Sequence, residues 1–281
     1  MWRKIIVTVI SLLLLSGQCF AGGDFDGVDD SASTTANNAL DGYNVGTVAF
    51  WVRFDNIADG VQYAMGSYNH GANAEVSYQF LINDSGFIKL AWKCDYPLSN
   101  WAEIVAFTTD LTGNTGSHLI VYVADGTNQV KLYLDGAEET ASYNDGVCAL
   151  NSDSMDFISD QNGIGSFNHR FSVGAWPINA LYNPFNGVVW EVAIWNTALT
   201  AAEVKTYYDS KLKMHSRMAQ PSALTFYWAL DEKAHGTALN GVGMIDYVGG
   251  WTLTADDGAN NSGMSAAGDT VINYPSGIIG Q

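Results

Sequence analysis

Residues 185–204 read FNGVVWEVAIWNTALTAAEV, an apolar and aromatic run that carries a single acid, Glu191. Val188 to Trp195 has the β-branched and aromatic content of a strand. Plain alternation puts Val188, Trp190, Val192 and Ile194 on one face and Val189, Glu191, Ala193 and Trp195 on the other. Thr200-Ala-Ala-Glu203 is a capping box, in which hydroxyl and carboxylate satisfy each other's backbone donors, so a helix is expected from Ala201 towards Lys211. A closing strand followed by one short helix is the local organisation that this stretch specifies.

The chain outside that stretch is punctuated by Gly, Asn, Asp and Ser between short β-rich runs, with 29 glycines in all, the pattern of a sandwich or barrel. Thr47 to Phe54 alternates, with Val48, Phe50, Val52 and Phe54 on one face. Val61–Met65, Glu75–Ile82, Gly86–Lys93 and Trp101–Thr108 continue the series as a meander. His118–Ala124 and Gln129–Leu134 flank a connection of hairpin length, and Asp135-Gly136 signals a second tight turn. Residues 144–168 read as a long polar loop before strand character returns at Phe171. Leu224–Leu230 and Trp251–Thr254 are expected as late strands, and Phe50, Tyr122 and Trp195 as packing residues.

Arg3 and Lys4 precede an apolar run from Ile5 to Leu15 and a Cys19-Phe20-Ala21 end, the layout of a secretory signal peptide over residues 1–21. The run is shorter than the about 20 residues a membrane span needs, so export to the extracellular side without membrane insertion is expected. The chain has 12 basic and 29 acidic residues; loss of Arg3 and Lys4 takes the formal charge from -17 to -19. Such a balance disfavours nucleic acid and anionic membrane surfaces as partners. Cys94 and Cys148 remain, and an oxidising compartment favours a bridge between them, two free thiols being the competing state.

Several motifs in order resemble one family: Asp24-Phe-Asp-Gly-Val-Asp-Asp30, Gly46-Thr-Val-Ala-Phe-Trp-Val52, His118-Leu-Ile-Val-Tyr122, Val130-Lys-Leu-Tyr-Leu-Asp-Gly136 and the opening stretch. Together they are similar to laminin G-like and pentraxin-like domains of the concanavalin A-like lectin/glucanase superfamily. Phe226-Tyr-Trp-Ala-Leu-Asp-Glu232 resembles a strand that accompanies such domains. Residues 212–281, a linker and a strand-containing tail too short and too poor in apolar runs for a core of their own, are expected to pack on the main domain, and the resemblance implies an all-β, two-sheet antiparallel jelly roll over residues 22–211. It also implies binding of glycans, glycoconjugates or extracellular proteins, often with one calcium ion. Where the family's closing strand carries an aspartate, this chain has Trp190.

Glycosidases need two carboxylates about 5 to 10 Å apart. The positions two residues either side of Glu191 are Val189 and Ala193, so that strand supplies no pair. A nucleophile elbow and phosphate-binding glycine loops are also absent from the sequence, and no catalytic residue is expected. Calcium suits the carboxylate-rich loops, with Asp26, Asp29 and Glu191 as candidate ligands against the alternative of turn and surface carboxylates. A sugar needs an aromatic surface with nearby polar groups. Two regions offer this: Tyr96 with Trp101, and Trp176, Asn179, Tyr182 and Asn183. The reading is a secreted, non-catalytic recognition or adhesion module. A self-associating subunit of a surface layer, filament or virus-like particle is the first rival, and a polysaccharide hydrolase or lyase the second.

Overall fold

The computed structural model describes residues 19–20, 22–28, 30–34, 45–57, 60–69, 76–83, 85–95, 100–106, 109–126, 130–144, 169–177, 181–210, 219–230, 243–250, 252–255, 270–271 and 274–275. Two antiparallel sheets dominate, as a jelly-roll sandwich requires. The first orders its strands Ala137–Glu138, Lys131–Leu134, Ser117–Ala124, Gly46–Phe54, Asn186–Trp195, Gly23–Asp26 and Thr270–Val271. Leu224–Trp228 joins it along the second half of Asn186–Trp195. The second sheet runs Ala141–Asn144, Asn100–Ala106, Ile88–Asp95, Val76–Ile82, Gln62–Asn69, His169–Val173, Ala32–Thr34, Leu253–Ala255 and Gly243–Met244.

Alternation in Gly46–Phe54 sends Val48, Phe50, Val52 and Phe54 between the sheets, where they meet Met65, Phe80, Leu90 and Phe171. Phe50 sets its ring edge against Phe80 at 5.3 Å and 72°, and Phe80 does the same with Tyr122 at 6.0 Å and 71°, the favourable arrangement for two ring quadrupoles. Tyr122 is therefore a core residue, as expected. The intervening residues Ala49 and Trp51 are equally buried, because the first sheet is covered on its other face too. There Trp51 stacks on Trp190 at 6.3 Å, and Tyr208 stacks on Trp51 at 5.9 Å. Leu199, Val204, Tyr207, Ala219 and Tyr227 complete this second cluster.

The helix spans Ala201–Asp209, and its capping box forms as the sequence predicts: the Thr200 hydroxyl accepts from Glu203 N while the Glu203 carboxylate accepts from Thr200 N. Asp135-Gly136 closes a two-residue hairpin with Leu134 opposite Ala137, both turn residues having left-handed backbone. The Asp135 carboxylate then holds Leu119 N at 2.9 Å and His118 Nδ1 at 2.8 Å. Among the described residues no helix is long and apolar enough to cross a membrane.

The closing strand departs from plain alternation. Trp190 pairs with Trp51 but Ala193 with Ala49, so three steps on one strand oppose two on the other. Glu191 sits inside this bulge with φ 54°. One inserted residue exchanges the two faces. Val189, Val192 and Ile194 point between the sheets, whereas Val188, Trp190, Ala193 and Trp195 join the outer cluster. The face assignment read from the sequence is thus corrected: Val188 and Trp190 do not share a face with Val192 and Ile194.

Candidate functional site

The second sheet carries the features that bear on binding. Beyond Val173 the chain leaves the sheet at Gly174, whose N–H donates to Ala64 O at 3.0 Å and whose carbonyl accepts from Phe185 N at 2.7 Å. Between these anchors Trp176–Pro177 and Leu181–Tyr182 form a two-stranded ribbon in which Trp176 lies opposite Tyr182 in backbone register. Asn183 closes the excursion: it is exposed, takes a left-handed φ of 51°, and accepts Tyr63 N at 2.7 Å through its carbonyl. Asparagine tolerates that conformation better than most residues. Asn179 lies outside the described residues.

Gln62 ties the base of this excursion together. Its side chain is buried, accepts Asn186 N at 3.0 Å, and donates to the Asn56 carbonyl. One amide thus joins the strand beside the ribbon, the start of the closing strand and the loop after Phe54, which makes the base rigid. Next along the same strand, the Tyr63 hydroxyl is 2.8 Å from Ser172 Oγ, and both residues are fully buried. Ser172 alternates with the core residues Phe171 and Val173, so this pair stands on the sheet's outer side. Arg170 follows on that side two residues earlier, opposite Tyr68. Sequence reasoning passed over Gln62, Tyr63, Arg170 and Ser172, for none of them stands in a motif.

The other aromatic region is not brought to the ribbon. Trp101 belongs to Asn100–Ala106 and pairs with Lys93. Two strands separate Asn100–Ala106 from Gln62–Asn69, so three strand spacings, roughly 14 Å, intervene. Tyr96 lies outside the described residues. Cys94 occupies a register shift between Lys93 and Asp95, and Cys148 lies outside the described residues.

Asp26 and Glu191 are likewise apart. Asp26 pairs with Asn186, and Glu191 is five residues further along, roughly 16 Å at strand rise. Asp26 Oδ1 accepts Val28 N at 2.8 Å, while Asp26 N donates to Asp30 Oδ2 at 2.7 Å. Asp30, which the sequence did not single out, is buried and organises this turn. Glu191 is only 3% exposed, and its Oε1 accepts the Tyr227 hydroxyl at 2.7 Å. Among the described residues no three His, Cys, Asp or Glu side chains converge as a metal site. Asp29 lies outside them. Asp26 and Glu191 therefore do not form one calcium donor set.

Residues 26–205 match the family model Laminin_G_3, described as concanavalin A-like lectin/glucanases superfamily. No curated protein sequence matches the chain. Among solved structures, a Bacteroides ovatus protein provisionally described as carbohydrate-binding is similar over 84% of this chain and 58% of its own, with 18% identity and TM-score 0.52. The chain thus spans little more than half the length of that protein. A heptameric SAP-like pentraxin from Limulus polyphemus is similar over 67% of this chain and 82% of its own, at 12% identity and TM-score 0.47. The CBM40 module of a Ruminococcus gnavus IT-sialidase bound to α2,3-sialyllactose covers 65% of this chain and 96% of its own, at 14% identity and TM-score 0.46.

Proposed function

Because the chain belongs to the Laminin_G_3 family of the concanavalin A-like lectin/glucanase superfamily, we propose that it is a non-catalytic recognition module that binds glycan beside the Trp176–Asn183 excursion. The observation that carries this reading is the excursion itself. It brings two aromatic residues, Trp176 and Tyr182, into register on a ribbon. Its feet are hydrogen-bonded to adjacent residues of one sheet strand, Ala64 and Tyr63. A pyranose needs an aromatic surface with polar groups near it, and loops held by a rigid scaffold are where such sites form. The Bacteroides ovatus protein, with its provisional carbohydrate-binding description, supports the same class of ligand.

The non-catalytic part rests on Glu191. The acid best placed in the sequence for acid/base work is buried and held by a tyrosine hydroxyl, and Val189 and Ala193 stand two positions to either side. The leader pattern of residues 1–21 supports export, so the ligand would be met outside the cell.

The test is a glycan array probed with the mature protein, with calcium and with chelator, beside Trp176→Ala and Tyr182→Ala. Retention of a defined glycan class that weakens about tenfold or more in either variant is expected. Retention of no glycan, or retention indifferent to both substitutions, would overturn the reading. Loss of retention with chelator would add a cation to the site.

A further inference from the structure

We propose that Arg170 is the ligand-reading cation of this face and that it selects glycans bearing an oxyanion, a carboxylate or a sulfate ester. The proposal rests on the glycan-binding reading and narrows it to a ligand class. Arg170 stands in His169–Val173 with Phe171 and Val173 on the core side and Ser172 on its own side. The guanidinium Nε is shut off from solvent and has no hydrogen-bond partner. The ion pairs of Arg53 with Asp55, His118 with Asp135, Lys131 with Glu138 and Lys205 with Asp209 leave Arg170 out.

That isolation is unexpected in this chain. Acidic residues outnumber basic ones by 29 to 12, so an arginine placed at random on the surface has many carboxylates to meet. A half-buried guanidinium that meets no carboxylate among the described residues carries a desolvation cost that an arriving anion offsets. Its planar donor fork matches the paired oxygens of a carboxylate or sulfate, which a lysine's point charge does not. Position agrees with charge. Arg170 is two residues, roughly 7 Å, from Ser172 along the strand. Ser172 is hydrogen-bonded to Tyr63, the residue whose N–H holds the ribbon's foot at Asn183. Arg170 and the Tyr63–Ser172 pair therefore share one side of the second sheet, and the strand that carries Arg170 and Ser172 leads into the aromatic ribbon. The net negative charge of the whole chain repels anions at long range, so selection at Arg170 must be a short-range contact.

The experiment uses the full mature chain and three matched probes: a neutral oligosaccharide, its uronic-acid counterpart and its sulfated counterpart. Wild type, Arg170→Gln and Arg170→Lys are compared by titration calorimetry, with the Arg170 Nε–H signal followed by NMR and melting temperatures checked. Wild type is expected to prefer one or both anionic probes by at least tenfold and to shift the Nε–H signal on binding them. Arg170→Gln should abolish the preference and Arg170→Lys should restore only part of it. A carboxylate source and a sulfate source are told apart by which probe shifts the signal. Equal binding of all three probes, unchanged in Arg170→Gln, overturns this proposal and leaves the glycan reading standing. Binding of none overturns both. If Arg170→Gln does not fold, the Nε–H response and the wild-type preference decide alone.

Discussion

Gly174 is where the sheet hands over to the ribbon, and its replacement by alanine tests that junction. Its φ is +91°, and a Cβ built there would lie 2.2 Å from Phe25 Cδ1, 2.3 Å from Cε1 and 3.0 Å from Asp30 O. Phe25 cannot swing aside, because it is 1% exposed and packs edge-on against Phe185 at 6.2 Å. Phe185 in turn packs on Phe54 at 5.6 Å. The left-handed backbone costs about 1–2 kcal/mol for a residue with a side chain. Forcing a methyl into a packed core costs about 1–3 kcal/mol more. Gly174→Ala is therefore expected to lose about 3 kcal/mol, a drop in Tm of about 6–12 °C for a chain of this size. Urea unfolding followed by circular dichroism should show a lower midpoint at an unchanged m-value. Phe25→Leu makes room for the methyl, so the double variant should be less destabilised than the sum of the single ones. A Gly174→Ala protein that melts within about 1 °C of wild type would refute the reasoning.

Three further outcomes follow from the outer cluster and the cysteines. Tyr227→Phe removes the 2.7 Å hydrogen bond to buried Glu191 and should cost about 1–3 kcal/mol in urea unfolding; no loss would mean that the bond does not form. The carboxyl of Glu203 is held below the usual glutamate range by the Thr200 backbone N–H and then by the Gln220 side chain. Its contribution to the helix is present above the usual range and is lost as pH falls through the lowered value. NMR titration should find that low value and see it rise part of the way towards normal in Gln220→Ala, which removes the side-chain donor, while Thr200→Ala, which removes the hydroxyl that accepts Glu203 N, should cost about 1 kcal/mol; an ordinary value in wild type would discard the capping box. Finally, non-reducing peptide mapping of the exported protein should recover Cys94 and Cys148 in one linked peptide pair, whereas two alkylatable thiols would rule the bridge out.

What the sequence made legible was local. The capping box at Thr200 and the Asp135-Gly136 hairpin depend on residues within four positions of each other, and both form as read. The alternation of Thr47–Phe54 likewise points the expected four side chains inward. The order of motifs from Asp24 to Glu203 carried the family and the sandwich. Two things were not legible. Gly46–Phe54 and Asn186–Trp195 are buried on both faces, and such strands read as nearly continuous apolar runs from which neither face can be told to be the covered one. The partners that form the second cover, Tyr207, Ala219 and Tyr227, come from later in the chain and have no spacing rule that links them to Trp51.

The bulge at Glu191 shows why this matters for function. Period-two reading places an acid on a face by parity alone, and parity holds only while the two strands keep step. Strain is the price of breaking it: a glutamate at φ 54° is disfavoured unless its surroundings hold it. Here Tyr227 holds the side chain and Ala229 O accepts the N–H at 3.4 Å, and both lie in the segment that begins with the late strand Leu224–Trp228. Glu191→Gly should therefore keep the register, since glycine takes the left-handed backbone freely. Glu191→Val should not, because a β-branched residue resists that backbone, and a plain pairing of Trp190 to Trp195 with Gly46–Phe54 would turn Val192 and Ile194 out of the core. Glu191 is thus explained as the residue that resets which face of the closing strand is core, a task that needs no second carboxylate.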